Sequence, residues 1–342
     1  MLDLSNIFDL PLVWGGIIAL SIFLYALLDG FDLGIGILFP FAPSNECRNK
    51  MMNSIAPFWD GNETWLVLGG GGIFAAFPLA YSMLMPAFYL PIIVMLIALI
   101  LRGVAFEFRF KAVHLFTRSL WDYAFHSGSL IAAFCQGLML GTYVQGIKVV
   151  EYAYIEDTLN WLTPFSLMCG VSVVFAYALL GANWLILKTV DKTRRWARKC
   201  SLYISFYVLT FMGIVSIWMP FLNERVRARW FDYPNILYLS PIPVLVIIVF
   251  GLHQYALIKK RDLAPFLLTI ALFVLNFFGL AISIWPWIIP YQVTLHEAAA
   301  CEASQSMLLI GTIPLLPMIL GYTAYSYYIF RGKVSEKDLY HH

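Results

Sequence analysis

Four short stretches of this 342-residue chain gather ionisable residues at helical spacing. Asp29 and Asp32 stand three apart in DGFDLGIG, and Asp60 and Glu63 repeat that spacing in WDGNETW. Arg102, Glu107 and Arg109 share LRGVAFEFR, and Asp122 precedes His126 by four in WDYAFH. Residues three or four apart lie on one face of a helix. Carboxylates on a shared face can pass protons, hold water or bind a cation. Beside an arginine they can instead form a static ion pair.

The surroundings make these groups unusual. The chain is 61% hydrophobic and 12% charged, with a mean hydropathy of +0.77. An average soluble domain carries about 25% charged residues. A soluble enzyme, a disordered chain and a coiled coil are excluded, which leaves an all-α polytopic membrane protein. The net charge of +2 provides no basic field for nucleic acid. The cysteines, Cys47, Cys135, Cys169, Cys200 and Cys301, form no C-x-x-C pair. Neither a zinc site nor a disulfide framework is therefore expected. The start, MLDLSNIFDL, is acidic where a secretory signal is basic, so the first apolar stretch is expected to stay as a spanning helix.

A spanning helix needs about 20 apolar residues. Nine are expected, over residues 12–39, 60–82, 86–106, 122–146, 162–187, 201–222, 238–257, 265–289 and 305–330, all within one integral membrane domain covering 1–342. The second and third are divided only by a tight turn near Pro86, and merging them gives eight. With the N-terminus outside and the C-terminus cytoplasmic, 17 Lys and Arg fall on inner segments, Lys337 among them, and 4 on outer ones. That asymmetry is what the positive-inside rule requires. Merging the two spans weakens it, so nine is preferred.

In that topology Asp29, Asp32, Asp60, Glu63, Arg102, Glu107 and Asp122 all fall in the cytoplasmic half of the membrane. A charged residue at a helix centre costs about 2.5–3.5 kcal/mol on insertion scales, and such residues are functional candidates by default. Two readings stay open for Asp29 and Asp32: a static network with Arg102, or a wet, proton-accessible file of carboxylates. Glu63, Glu107 and Asp122 stand near enough to the interface for simple solvation. Gly30, Gly34 and Gly36 would let a neighbouring helix approach the acidic face of the first span. Gly69 to Gly72 would either allow close packing or mark a broken helix lining a cavity. Of the histidines, His114, His126, His253, His296, His341 and His342, only His126 and His253 lie well inside spans. No two share a face, so no bis-histidine haem site within one helix is expected, nor a metal site.

DGFDLGIG, NSIAPFWDGNETW, GGGGIFAAFPLAY and RGVAFEFR, in that order and spacing over about the first 110 residues, resemble subunit II of the cytochrome bd-type quinol oxidases. GANWLILKT and PWIIP look like weaker blocks of the same family, the first similar to its cyanide-insensitive branch. The resemblance implies two four-helix bundles plus one further helix, in a bacterial cytoplasmic (inner) membrane. It implies a respiratory complex that oxidises quinol and reduces dioxygen to water with protons taken from the cytoplasm, generating proton-motive force without pumping. Two haems b and one haem d would belong to the partner, subunit I, and none to this chain. A small single-span subunit is a further expected partner, and some members hold a structural quinone. The family's proton path would fall on Asp29, Asp32 and Asp60. The competing functions are an ion-coupled secondary transporter, with the glycine run as its unwound helix, and a purely structural scaffold.

Overall fold

The computed structural model describes residues 8–155 and 159–334. Lys337, His341 and His342 therefore lie outside the described residues. In chain order the helices are α1 (Leu10–Leu38), α2 (Asn45–Asn53), α3 (Trp59–Ala76), α4 (Pro78–Ala87), α5 (Tyr89–Lys111), α6 (Leu115–Gln145) and α7 (Pro164–Lys188). They continue with α8 (Asp191–Leu222), α9 (Glu224–Phe231), α10 (Asn235–Leu239), α11 (Pro241–Ile258), α12 (Ala264–Ile284), α13 (Leu295–Ala298) and α14 (Glu302–Ile329). Two antiparallel hairpins interrupt the helices. In one, β1 (Val149–Val150) pairs with β2 (Ala153–Tyr154), and in the other β3 (Trp287–Ile289) pairs with β4 (Val293–Thr294).

Helix ends follow local chemistry. Asp9 caps α1, its side chain accepting from the Leu12 amide at 3.1 Å. Thr163 and Ser166 form a reciprocal capping box at the start of α7, with Pro164 in its first turn. Without such partners the first amides of each helix would be unsatisfied.

Two helical rings result. In one, α1 packs on α3 and α6 while α5 packs on α6, and Trp59 of α3 meets Phe106 of α5 with centroids 5.2 Å apart. In the other, α7, α8, α11 and α12 pack around one another. The first helix of the second ring, α7, also packs on α1 and α6, and α14 lies against α3 and α1. This is the expected all-α bundle, with two groups of four and one helix beside them. Aromatic rings fill the junction: Phe31 stacks on Trp184 at 4.2 Å and Phe58 on Tyr327 at 4.4 Å.

Several expected boundaries move. Among the described residues eight helices are long and apolar enough to cross a membrane, counting α10 with α11. The second expected span is broken: α3 ends at Ala76, α4 begins at Pro78, and the divide from α5 falls at Phe88 rather than Pro86. Proline cannot donate a backbone bond and so starts a helix more easily than it continues one. The C-terminal carbonyl of α3, on Ala76, instead accepts from the Ala300 amide at 2.9 Å. The apolar run near the end of the eighth span turns back as the β3–β4 hairpin, so PWIIP is not helical. The helix of the sixth expected span, α8, begins at Asp191, ten residues early, because its charged first turns extend past the apolar run while Thr193, Ala197 and Ser201 keep one face buried. The glycine run is not unwound. It lies in continuous helix, and a Cβ on Gly72 would stand 2.9 Å from Ile18 of α1.

Candidate functional site

The acidic face of α1 is closed on every side. Asp29 and Asp32 are fully buried. Arg102 of α5, itself 2% exposed, reaches Asp29 through Nη1 at 2.7 Å, and its Nη2 donates to Glu63 of α3. One guanidinium therefore joins a carboxylate on α1 to another on α3. Such a fork suits arginine, whose planar donors stay charged.

Asp32 follows a different route. Its Oδ2 accepts from Asn62 of α3 at 2.7 Å, and the Asn62 oxygen accepts from the Tyr327 hydroxyl of α14 at 2.9 Å. Hydrogen bonds of this kind are what a buried polar group needs. One oxygen on each acid, Oδ2 of Asp29 and Oδ1 of Asp32, is nonetheless buried without a hydrogen-bond partner. The network thus has acceptor capacity left for a proton or a water.

A second polar chain lies one turn away on α1. Gln136 of α6 donates to the Tyr25 hydroxyl at 2.8 Å and accepts from that of Tyr177, on α7, at 2.7 Å. The polar face thus draws on α1, α3, α5, α6, α7 and α14.

Asp60 is not brought into this network. It lies exposed in the first turn of α3, and Glu107 lies exposed near the C-terminal end of α5. Simple solvation does not describe Glu63 or Asp122. Glu63 is paired with Arg102, and Asp122 accepts from Arg109 Nε and stands 3.5 Å from Arg48. Burial of both arginine heads, Arg102 and Arg109, supplies the reason, since an unpaired buried charge is costly. The readings of Asp29 and Asp32 divide as well: Asp29 is ion-paired with Arg102, whereas Asp32 bonds to a neutral amide. Asn62, Tyr327, Gln136, Tyr25 and Tyr177 escaped sequence reasoning, because neutral polar residues carry no charge signal in an apolar helix. Asn62 alone had a clue, standing between Asp60 and Glu63 in WDGNETW.

Among the described residues the histidines do not assemble. His126 Nδ1 lies 3.1 Å from the Gly36 carbonyl. His253 of α11 is fully buried, with Nε2 3.1 Å from the Asn183 amide of α7. That amide also donates to Thr269 of α12 at 2.7 Å, and Asn183 accepts from Ser201 of α8 at 2.7 Å. Each helix of the second ring contributes one residue to this knot.

Comparison with known proteins places the chain. The family model for cytochrome bd terminal oxidase subunit II matches residues 10–330. The chain is 31% identical over 341 residues to cytochrome bd ubiquinol oxidase subunit 2 of Bacillus subtilis, covering 95% of this chain and 97% of that one. It is 28% identical over 370 residues to cytochrome bd-I ubiquinol oxidase subunit 2 of Escherichia coli, covering 96% of each. Its fold is similar to a chain in the structure of bd oxidase from Geobacillus thermodenitrificans, with a TM-score of 0.73, 16% identity, and 94% of this chain and 99% of that one covered. The chain belongs to the cytochrome bd terminal oxidase subunit II family and is a membrane-embedded subunit of a respiratory oxidase.

Proposed function

We propose that this chain carries protons from the cytoplasmic side of the membrane toward the dioxygen-reducing centre of a partner subunit I, in a quinol oxidase of a bacterial inner membrane. The observation that carries the reading is the buried network of Asp29, Asp32, Asn62, Glu63 and Arg102, with one unpartnered oxygen left on each aspartate. A purely apolar core would hold these helices together at lower cost, because buried ion pairs seldom outperform well-packed hydrophobic residues. Intramembrane carboxylates in a connected file are the usual form of a proton relay.

In this reading the N-terminus lies outside, the C-terminus is cytoplasmic, and the chain crosses nine times as one integral domain. At 1.5 Å per residue the 18 residues of α3 extend about 27 Å, close to the thickness of a hydrocarbon core. Glu63, partly exposed and tied to Arg102, is the entry. Asp29 and Asp32 hold the proton deeper, and Arg102 balances the carboxylates while one of them changes charge. Exposed Asp60 belongs to the surface that meets a partner, either subunit I or a small single-span subunit.

Haems b and d, which supply the electron transfer to dioxygen, are assigned to subunit I. Among the described residues the histidines inside the helices do not form a pair for such a group: His126 and His253 stand in different helical rings, and one ring nitrogen of each is engaged, by the Gly36 carbonyl and the Asn183 amide. No step on this chain is routed through haem or through a quinone.

The test is oxygen consumption by the whole complex, with quinol as donor, after Asp29→Asn, Asp32→Asn and Asp60→Asn. Slower turnover with haem content unchanged is expected for the two buried positions. Full turnover in all three variants would remove the proton route and leave a scaffold.

A further inference from the structure

A second polar cluster stands apart from the acidic network, where the C-terminus of α5, the N-terminus of α6 and the short helix α2 converge. Its central feature is a shared acceptor. The side-chain oxygen of Asn49 accepts from Arg109 at 2.8 Å and from Arg118 at 2.5 Å. Two guanidinium groups are thus drawn together by one neutral amide oxygen, which brings no net charge to set against their mutual repulsion.

Charge around them is unbalanced. Arg48, Arg109 and Arg118 face one another, and Asp122 is the one carboxylate bonded to them among the described residues. The other nearby acid on α2, Glu46, pairs with Lys50 at 2.7 Å. Arg109 is 1% exposed, yet its Nη2 lacks an acceptor, and so does the buried Nε of Arg118. Buried guanidinium donors without acceptors are costly. The cluster also adjoins an uncapped helix N-terminus: His114 makes no side-chain cap on α6, and the first turn of α6 contains no acid. The unpaired amides of such a turn attract negative charge.

Apolar side chains project beside these cations. Val113 is 91% exposed, Leu115 80% and Phe116 82%, with Leu120 exposed one turn further along. Contiguous exposed apolar groups next to a basic cluster at the end of two long apolar helices are suited to one class of ligand, an amphiphile with an anionic head.

We propose that Arg118 and Arg109, with Asn49 and the first turn of α6, bind the phosphate of an anionic membrane phospholipid, and that Leu115, Phe116 and Leu120 receive its acyl chains. The lipid phosphate neutralises the excess positive charge, which it reaches through Arg118, the partly exposed member of the pair. Lipid at this position holds α2 against the α5–α6 turn.

Native mass spectrometry of the detergent-purified complex, first stripped of lipid and then supplied with phosphatidylglycerol, tests the site. Wild type is expected to retain phosphatidylglycerol in preference to phosphatidylcholine. Arg118→Gln should lower that occupancy roughly tenfold or more, the range for losing charge-assisted bonds, and Arg118→Lys should recover most of it. Phe116→Ser tests the acyl half and should weaken retention without removing a charge. Equal retention by wild type, Arg118→Gln and Phe116→Ser would overturn the proposal, as would equal retention of the two lipids. Displacement of phosphatidylglycerol by millimolar inorganic phosphate would assign the cluster to the free anion and overturn the lipid site.

Discussion

Gly34 and Gly181 bring α1 and α7 into direct backbone contact. A Cβ on Gly34 would stand 1.8 Å from the Tyr177 carbonyl oxygen, and one on Gly181 would stand 2.6 Å from the carbonyl carbon of Gly34. Small residues permit this approach, and it positions the acidic face of α1 against the second ring. We predict that Gly34→Ala costs at least about 3 kcal/mol, the upper part of the range for overpacking, since backbone cannot move aside as a side chain can. Gly251→Ala, where a Cβ would meet nothing within 4 Å, should be neutral or mildly stabilising. Thermal unfolding of the purified complex separates the two, and equal unfolding temperatures would contradict the crossing.

The fold was legible because long apolar runs and basic loops obey strong rules. The charged members of the site were legible because aspartate in a spanning helix is rare. What escaped has a common cause. Asn62, Gln136 and Asn183 are neutral, and whether such a residue faces a partner or lipid depends on helix rotation, which mean hydropathy does not encode. The break at Phe77–Pro78 was missed because both flanking segments are apolar. The polar first turns of α8 were missed because apolar counting stops where charges begin, although helix does not. Gly34 and Gly181 lay in blocks that stood out, DGFDLGIG and GANWLILKT, but nothing in either block indicated that they meet.

Tyr327 offers a narrow test of the acidic network. Its hydroxyl donates to Asn62, and its ring stacks on Phe58 at an interplanar angle of 16°. Tyr327→Phe keeps the stack and removes only the donor. The Asn62 oxygen then loses its bond, at a cost of about 1–3 kcal/mol for a buried acceptor. We predict slower oxygen consumption and an altered pH profile, with haem content retained. If Asp32→Asn slows turnover but Tyr327→Phe leaves both rate and profile unchanged, α14 does not position Asn62 for Asp32.

The Asn183 knot predicts non-additive stability. Asn183→Ala removes partners from His253, Thr269 and Ser201 at once, whereas Thr269→Val removes one of those bonds together with the Thr269 hydroxyl's own bond to the Pro265 carbonyl. Residues within one hydrogen-bonded network typically couple by about 0.5–3 kcal/mol. The double variant should therefore lose less than the two single losses combined. Additivity within about 0.5 kcal/mol in chemical unfolding of the complex would mean that the second ring is held by packing alone.

Asp262 predicts a pH dependence outside the membrane. It stands between α11 and α12 and meets three cations, Arg194 at 3.0 Å, Arg198 at 2.8 Å and Lys333 at 2.5 Å. Burial alone would push its carboxyl up, but the bonds and charges of Lys333 and Arg194 outweigh burial and hold it below its usual value. A carboxyl that binds protons more weakly when folded than when unfolded stabilises the fold only while ionised. That contribution is complete above the unfolded value near 3.9 and disappears as the pH falls through the lower folded value. Solvent screening of this partly exposed cluster keeps the effect to about 1 kcal/mol. Asp262→Asn should therefore lower the unfolding temperature at pH 7 by a few degrees at most, and the gap from wild type should narrow between pH 4 and pH 3. A gap that stays constant over that interval would show that the three cations do not act through the ionised carboxylate.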